Sequence, residues 1–173
     1  VNPPAAAEQL FYEGVARIAN GGKRHVIVIA GNHDNPDRVS ASGPLARTQG
    51  INLLGLPTAT LQPVDVARTG ERAKIFALPY PSESRLRELL VDHVDEEVLR
   101  SAYSSRIAHI IAQQTESFTL ETVNLMTSHM YVMGGAETDS ERPIQVGGAY
   151  TVNTSAFGSM AQYVALGHLH RPQ

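Results

Sequence analysis

Three short stretches of this 173-residue chain carry side chains able to bind a metal ion or move a proton. One is Gly167-His168-Leu169-His170, a second is Gly31-Asn32-His33-Asp34, and the third is His129, which closes the run Thr122 to Ser128. In the first, side chains at i and i+2 point the same way if the backbone is extended. On a helix they would diverge by about 200°, so an extended segment would bring both imidazoles to one site. Asn32 offers a neutral carboxamide oxygen, a hard ligand that adds no charge to a cluster. Its neighbour His33 could act on a substrate without ligating metal, and Asp34 could orient that ring and favour its protonated form. Gly31 reads as the residue that lets the chain turn sharply. Each stretch alone also has a plainer reading, as a loop histidine pair, an Asn-rich turn or a structural histidine.

The elements that position these residues change the weighing. His25 to Ala30, Thr122 to His129 and Tyr163 to Leu166 read as buried strands, each ending at one of the three stretches. In layered α/β proteins sites are built at the carboxyl ends of strands. Nitrogen and oxygen donors from three strand ends point to a metal centre, and a metal centre points to hydrolysis. Around them, Ala5 to Asn20 reads as a helix with Leu10, Phe11, Val15 and Ile18 on one face and Gly21-Gly22 as its stop. The wholly apolar run after His25 fits a strand covered on both faces. Asn35-Pro36-Asp37 signals a turn with a short helix through Leu45, and Ile51 to Leu54 and Lys74 to Leu78 read as further strands. Asp95 to Gln114 is a second long helix, with Val98, Ala102, Ile107, Ile110 and Ile111 along its inner stripe. The Gly-rich, charged stretch from Gly134 to Tyr150 reads as a surface excursion with one strand near Pro143 to Val146. Strands mixed with few helices predict an α/β layer structure.

Composition narrows the function classes. Apolar residues make up 42% and charged residues 18%, ordinary for a soluble domain with a real core. The net charge of −3 argues against passive nucleic-acid binding through a basic surface, but not against an enzyme whose metal ions meet the phosphate. With no cysteine the chain makes no disulfide or zinc–thiolate site, which fits the cytoplasm. No apolar run reaches the roughly 18 residues of a membrane span. The opening Val1-Asn2-Pro3-Pro4 shows no secretion signal.

Taken in order, Asn32-His33, a distant His129, and Gly167-His168-Leu169-His170 resemble the second half of the calcineurin-like metallophosphoesterase pattern. Gly31 to Arg38, Ser140-Glu-Arg-Pro143 with Val146-Gly-Gly148, and Tyr163 to Gln173 resemble the SbcD-type nucleases within that superfamily. The resemblance implies a four-layer αββα sandwich. It implies that Asn32, His129 and His168 ligate one metal, that His170 belongs to the other, and that His33, with Asp34 behind it, is the catalytic histidine. Such sites hold two ions about 4 Å apart. Mixed nitrogen and oxygen donors without thiolate suit Mn2+. The implied partners are DNA and an SbcC-type coiled-coil ABC ATPase, with a homodimer inside the complex.

The chain departs from the pattern in one respect. The family's opening D-x-H motif and its G-D motif, which supply the aspartates, are absent from these residues, and His25, His93 and His109 do not replace them. Residues 1–173 therefore read as a partial nuclease domain, truncated at both ends, whose four surviving ligands are all neutral. The expectation is a fragment that binds metal weakly, is inactive alone, and bares a sheet edge. The parent reads as a metal-dependent DNA exonuclease and endonuclease in repair and recombination. The alternatives are a small-molecule phosphodiesterase and a non-catalytic scaffold of the same fold.

Overall fold

The computed structural model describes residues 3–57, 60–82, 96–136, 151–170 and 172. The elements run α1 (Ala5–Ala19), β1 (Val26–Ile29), α2 (Pro36–Ala41), α3 (Gly43–Arg47), β2 (Ile51–Leu54), β3 (Thr60–Val66) and β4 (Glu71–Leu78). There follow α4 (Glu96–Thr115), β5 (Val123–His129), β6 (Tyr131–Val132), β7 (Thr151–Val152), a 3₁₀ turn (Thr154–Phe157) and β8 (Tyr163–Gly167).

The strands form three sheets. β1 and β2 pair in parallel, β3-β4-β5-β8 form a mixed sheet in that order, and β6 and β7 make a short parallel ribbon. This bears out the α/β class. Sequence pattern located only part of the β3–β4 hairpin and gave no sign of the ribbon, whose strands are two residues each. The expected strand near Pro143 to Val146 lies outside the described residues.

In the larger sheet β4, β5 and β8 run parallel, and the register pairs Leu78 with Ser128, Ser128 with Leu166, and His129 with Gly167. Their carboxyl ends are therefore level. β5 alternates cleanly, with Asn124, Met126 and Ser128 buried on one face and Leu125, Thr127 and His129 half-buried on the other. The buried face packs on α4, where Tyr103, Ile107 and Ile111 meet Phe76, Leu78 and Met126. The inner stripe of α4 is thus as expected at Ile107 and Ile111; the side chains of Val98 and Ala102 lie outside the described residues.

A polar knot fixes where β5 and β8 start. The fully buried Asn124 amide donates to the carbonyls of Thr119 (2.8 Å) and Met160 (3.2 Å), while its oxygen accepts from Thr122 Oγ1 at 2.6 Å. Gln162 Oε1 accepts from the Asn124 N–H at 2.6 Å.

The smaller sheet has its own core, in which Val26, Val28, Ile51 and Leu53 pack on Val15 and Ala19 of α1, Val39 of α2 and Ala46 of α3. Two expectations are corrected here. All four β1 residues are only half-buried, so the apolar run does not have both faces sealed by described residues. The face of α1 that seats on the sheet runs through Val15 and Ala19, while Leu10, Phe11 and Ile18 are 69%, 40% and 55% exposed. Helix α1 is apolar on two sides, and periodicity alone does not say which side finds the sheet.

Local chemistry sets the helix ends. Asn20 adopts a left-handed conformation at the end of α1, and Gly21 and Gly22 continue it at positive φ. Asn35 caps α2 by accepting the Arg38 N–H at 3.1 Å, with Pro36 at the first helical position.

Candidate metal centre

The two sheets meet where their strands end. Beyond β1, the Ala30 N–H donates to the Leu54 carbonyl and the Ala30 carbonyl accepts from the Tyr80 N–H, both at 2.9 Å. That junction brings the residue after Gly31 to the carboxyl edge of β5. There Asn32 Oδ1 lies 3.0 Å from His129 Nε2, across 97 positions of sequence.

His129 is held by what is missing around it. A Cβ on Gly31 would come within 2.8–3.1 Å of three atoms of the His129 ring, and a Cβ on Gly167 within 2.8 Å of its Nδ1. Real Cβ atoms do not approach that closely, so the ring occupies space that two glycines leave open. Gly31 is not at positive φ. Its role is close approach rather than the sharp turn expected of it. The turn itself is closed by Asp34, whose Oδ2 accepts from the Gly31 N–H at 2.8 Å.

His168 follows β8 and is 5% exposed. Its ring centroid is 5.3 Å from that of His129, at 80°. Tyr80 stacks on it at 6.5 Å and 18°, and Tyr131 meets it edge-on at 6.2 Å. The backbone of His168 has φ 101°, so the extended geometry assumed for His168 and His170 does not hold. The chain bends at His168, whose ring turns inward while His170 is exposed. A non-glycine residue at positive φ costs of order 1–3 kcal/mol and persists where the surroundings impose it, commonly at functional sites.

Electrostatics place the remaining residues around His129. Burial first, then the neighbouring His168, push its pKa down to about 4, and Asp34 pulls the other way. His33 and His170 add smaller effects in the same direction as His168. His129 is therefore a neutral imidazole at pH 7, the form that donates to a metal. Burial also raises the pKa of Tyr80.

The predicted ligands thus stand as follows. Asn32, His129 and His168 are brought together; His170 lies within electrostatic reach but lines a groove along β8 with Met130, Tyr163 and Leu169. His33 and Asp34 sit on the turn beside them, exposed. Among the described residues no three His, Asp or Glu side chains are arranged to hold an ion. The converging set is one amide oxygen and two imidazoles, a donor chemistry that fits a divalent ion such as Mn2+. Arg38, on the helix after this turn, pairs with Glu8 at 2.7 Å and ties α2 to α1. Sequence reasoning missed Gly167 and Tyr80. The Gly before His168 was the available signal for the first; nothing local marked the second.

A scan against models of known protein families finds no match. The chain is 53% identical over 173 residues, its whole length, to the D subunit of the nuclease SbcCD from Bacillus subtilis, and covers 44% of that protein. It is 29% identical over 187 aligned residues to the D subunit of the nuclease SbcCD from Rhodobacter capsulatus, covering 46% of it. The chain spans about half the length of the curated relatives it matches.

Proposed function

We propose that this chain, 53% identical along its whole length to the D subunit of SbcCD from Bacillus subtilis, is part of the nuclease domain of a metal-dependent DNA phosphodiesterase. The observation that carries this reading is the 3.0 Å approach of Asn32 Oδ1 to His129 Nε2, with the His168 ring alongside. It supports Asn32, His129 and His168 as ligands of one ion; His170, exposed but within electrostatic reach of His129, is proposed as a ligand of the other. The surrounding architecture, proposed here, is a four-layer αββα sandwich in which residues 1–173 form part of one domain. The half-buried Ile27, Ile29 and Leu125 supply the apolar face that such a sandwich encloses.

Bound divalent ions, Mn2+ foremost, would supply Lewis-acid charge opposite the phosphate. The chain's own residues orient and exchange protons. Asn32 holds the His129 ring in one direction through its carboxamide. His33 stands exposed on the same turn, where it can reach a phosphodiester and give a proton to the leaving oxygen. Asp34 fixes that turn through the Gly31 N–H.

The proposed setting is DNA repair and recombination in the cytoplasm, with an SbcC-type ATPase as partner. Homodimerisation through the exposed Leu10, Phe11 and Ile18 of α1 fits the apolar surface there. Among the described residues no helix is long and apolar enough to cross a membrane. Mn2+-dependent degradation of linear DNA by a full-length protein carrying this sequence, abolished in His129→Ala, tests the reading. Hydrolysis of small phosphodiesters without DNA cleavage would replace it.

A further inference from the structure

Tyr80 touches every strand end that delivers a candidate ligand. Its N–H donates to the carbonyl of Ala30, two residues before Asn32. Its ring stacks on His168 and meets the edge of His129 at 6.1 Å and 83°. The residues on either side, Pro79 and Pro81, are fully buried, and the Pro81 carbonyl accepts from Tyr103 Oη of α4 at 3.2 Å. Two proline φ angles and two main-chain anchors leave the Tyr80 backbone little freedom. The ring is therefore presented to the two imidazoles from a fixed point of the main chain.

The two imidazoles are held differently. His129 is already confined by Gly31, Gly167 and Asn32. His168 sits on a bent, strained backbone, with Tyr80 stacked on its ring and Tyr131 meeting it edge-on. Tyr80 contacts both rings, at separations typical of aromatic pairs. We propose that Tyr80 is a positioning residue of the metal centre: its ring, not its hydroxyl, fixes the angle between the His129 and His168 imidazoles. This rests on the metal reading above. Groups that orient a ligand without touching the ion are commonly worth 10- to 100-fold in metal affinity.

The test compares Tyr80→Phe, Tyr80→Leu and Tyr80→Ala in a full-length protein carrying this sequence. Mn2+ affinity is measured by calorimetry, and the visible spectrum of bound Co2+ reports ligand geometry without reference to activity. Tyr80→Phe should keep affinity within about threefold and leave the Co2+ spectrum unchanged. Tyr80→Ala should lose about tenfold or more in affinity and shift the spectrum. Tyr80→Leu, which fills most of the space, should fold even if Ala does not, and should shift the spectrum too. An unchanged spectrum in a folded Leu or Ala variant would overturn the proposal, as would a Phe variant as impaired as Ala. His129→Ala separates the two ideas: if it binds Mn2+ as well as the unmodified protein, the metal reading itself fails.

Discussion

Asn32 and His129 lie 97 residues apart in sequence, yet the carboxamide oxygen of one is 3.0 Å from Nε2 of the other. No local propensity brings them there. The contact follows from the level carboxyl ends of β4, β5 and β8 and from the Ala30–Tyr80 bond that docks β1 on that edge. Replacing Asn32 with Ala should therefore loosen the His129 ring as well as delete an oxygen donor. Mn2+ affinity is expected to fall by about tenfold or more, measured by calorimetry.

The glycines around that ring should prove as intolerant as the ligands. Gly31→Ala or Gly167→Ala would force His129 out of the place it occupies, because a Cβ has no room at 2.8 Å from ring atoms. Metal affinity should drop in both variants while far-ultraviolet circular dichroism stays unchanged. A variant that kept full affinity would show that the ring can shift without cost.

His33 should separate chemistry from binding. In a full-length protein, His33→Ala is expected to leave metal content near that of the unmodified protein while turnover falls by about 10² or more. Metal analysis beside DNA hydrolysis rates checks both halves. Loss of both ions would make His33 a ligand.

Stability should depend on pH through His129. Its pKa in the folded chain is about 4, against 6.5 for an unperturbed histidine. Between those values the unfolded chain binds the extra proton and the folded chain does not, so protons favour unfolding. This contribution is complete above pH 6.5 and is lost as pH falls toward 4. Urea midpoints measured from about pH 7 down to about pH 4.5 should fall, and fall less in His129→Asn.

Asn124 offers a test of the scaffold rather than the chemistry. Asn124→Leu would leave the carbonyls of Thr119 and Met160 without their buried donor, and should cost about 2–4 kcal/mol in denaturant unfolding. Since this knot sets the start of β8, His168 should feel the change, seen as a weaker site in the surviving folded fraction.

What was legible in the sequence divides along physical lines. Helices α1 and α4, and strands β1, β2, β5 and β8, follow from apolar period and end signals, which are local. So does the site's address, because the motifs sit directly at strand ends. The bend at His168 was not legible: H-x-H suits an extended reading, whereas the folded chain has φ 101° there, with the His168 ring packed beside Tyr80 and Tyr131. Nor was the exposed side of α1, since Leu10 and Ile18 carry the same period as Val15 and only the sheet decides between them. Tyr80 escaped notice because its importance comes from a fold-level junction and not from its neighbours in the chain.

That junction has a consequence in time as well as space. The Tyr80 amide proton is bonded to Ala30 across the gap between two sheets that have separate cores. It can exchange with solvent only when the sheets part there, whereas the amides inside each sheet exchange with the opening of that sheet alone. Deuterium uptake at this one amide thus reports how often the sheets part at the junction that brings Asn32 to His129.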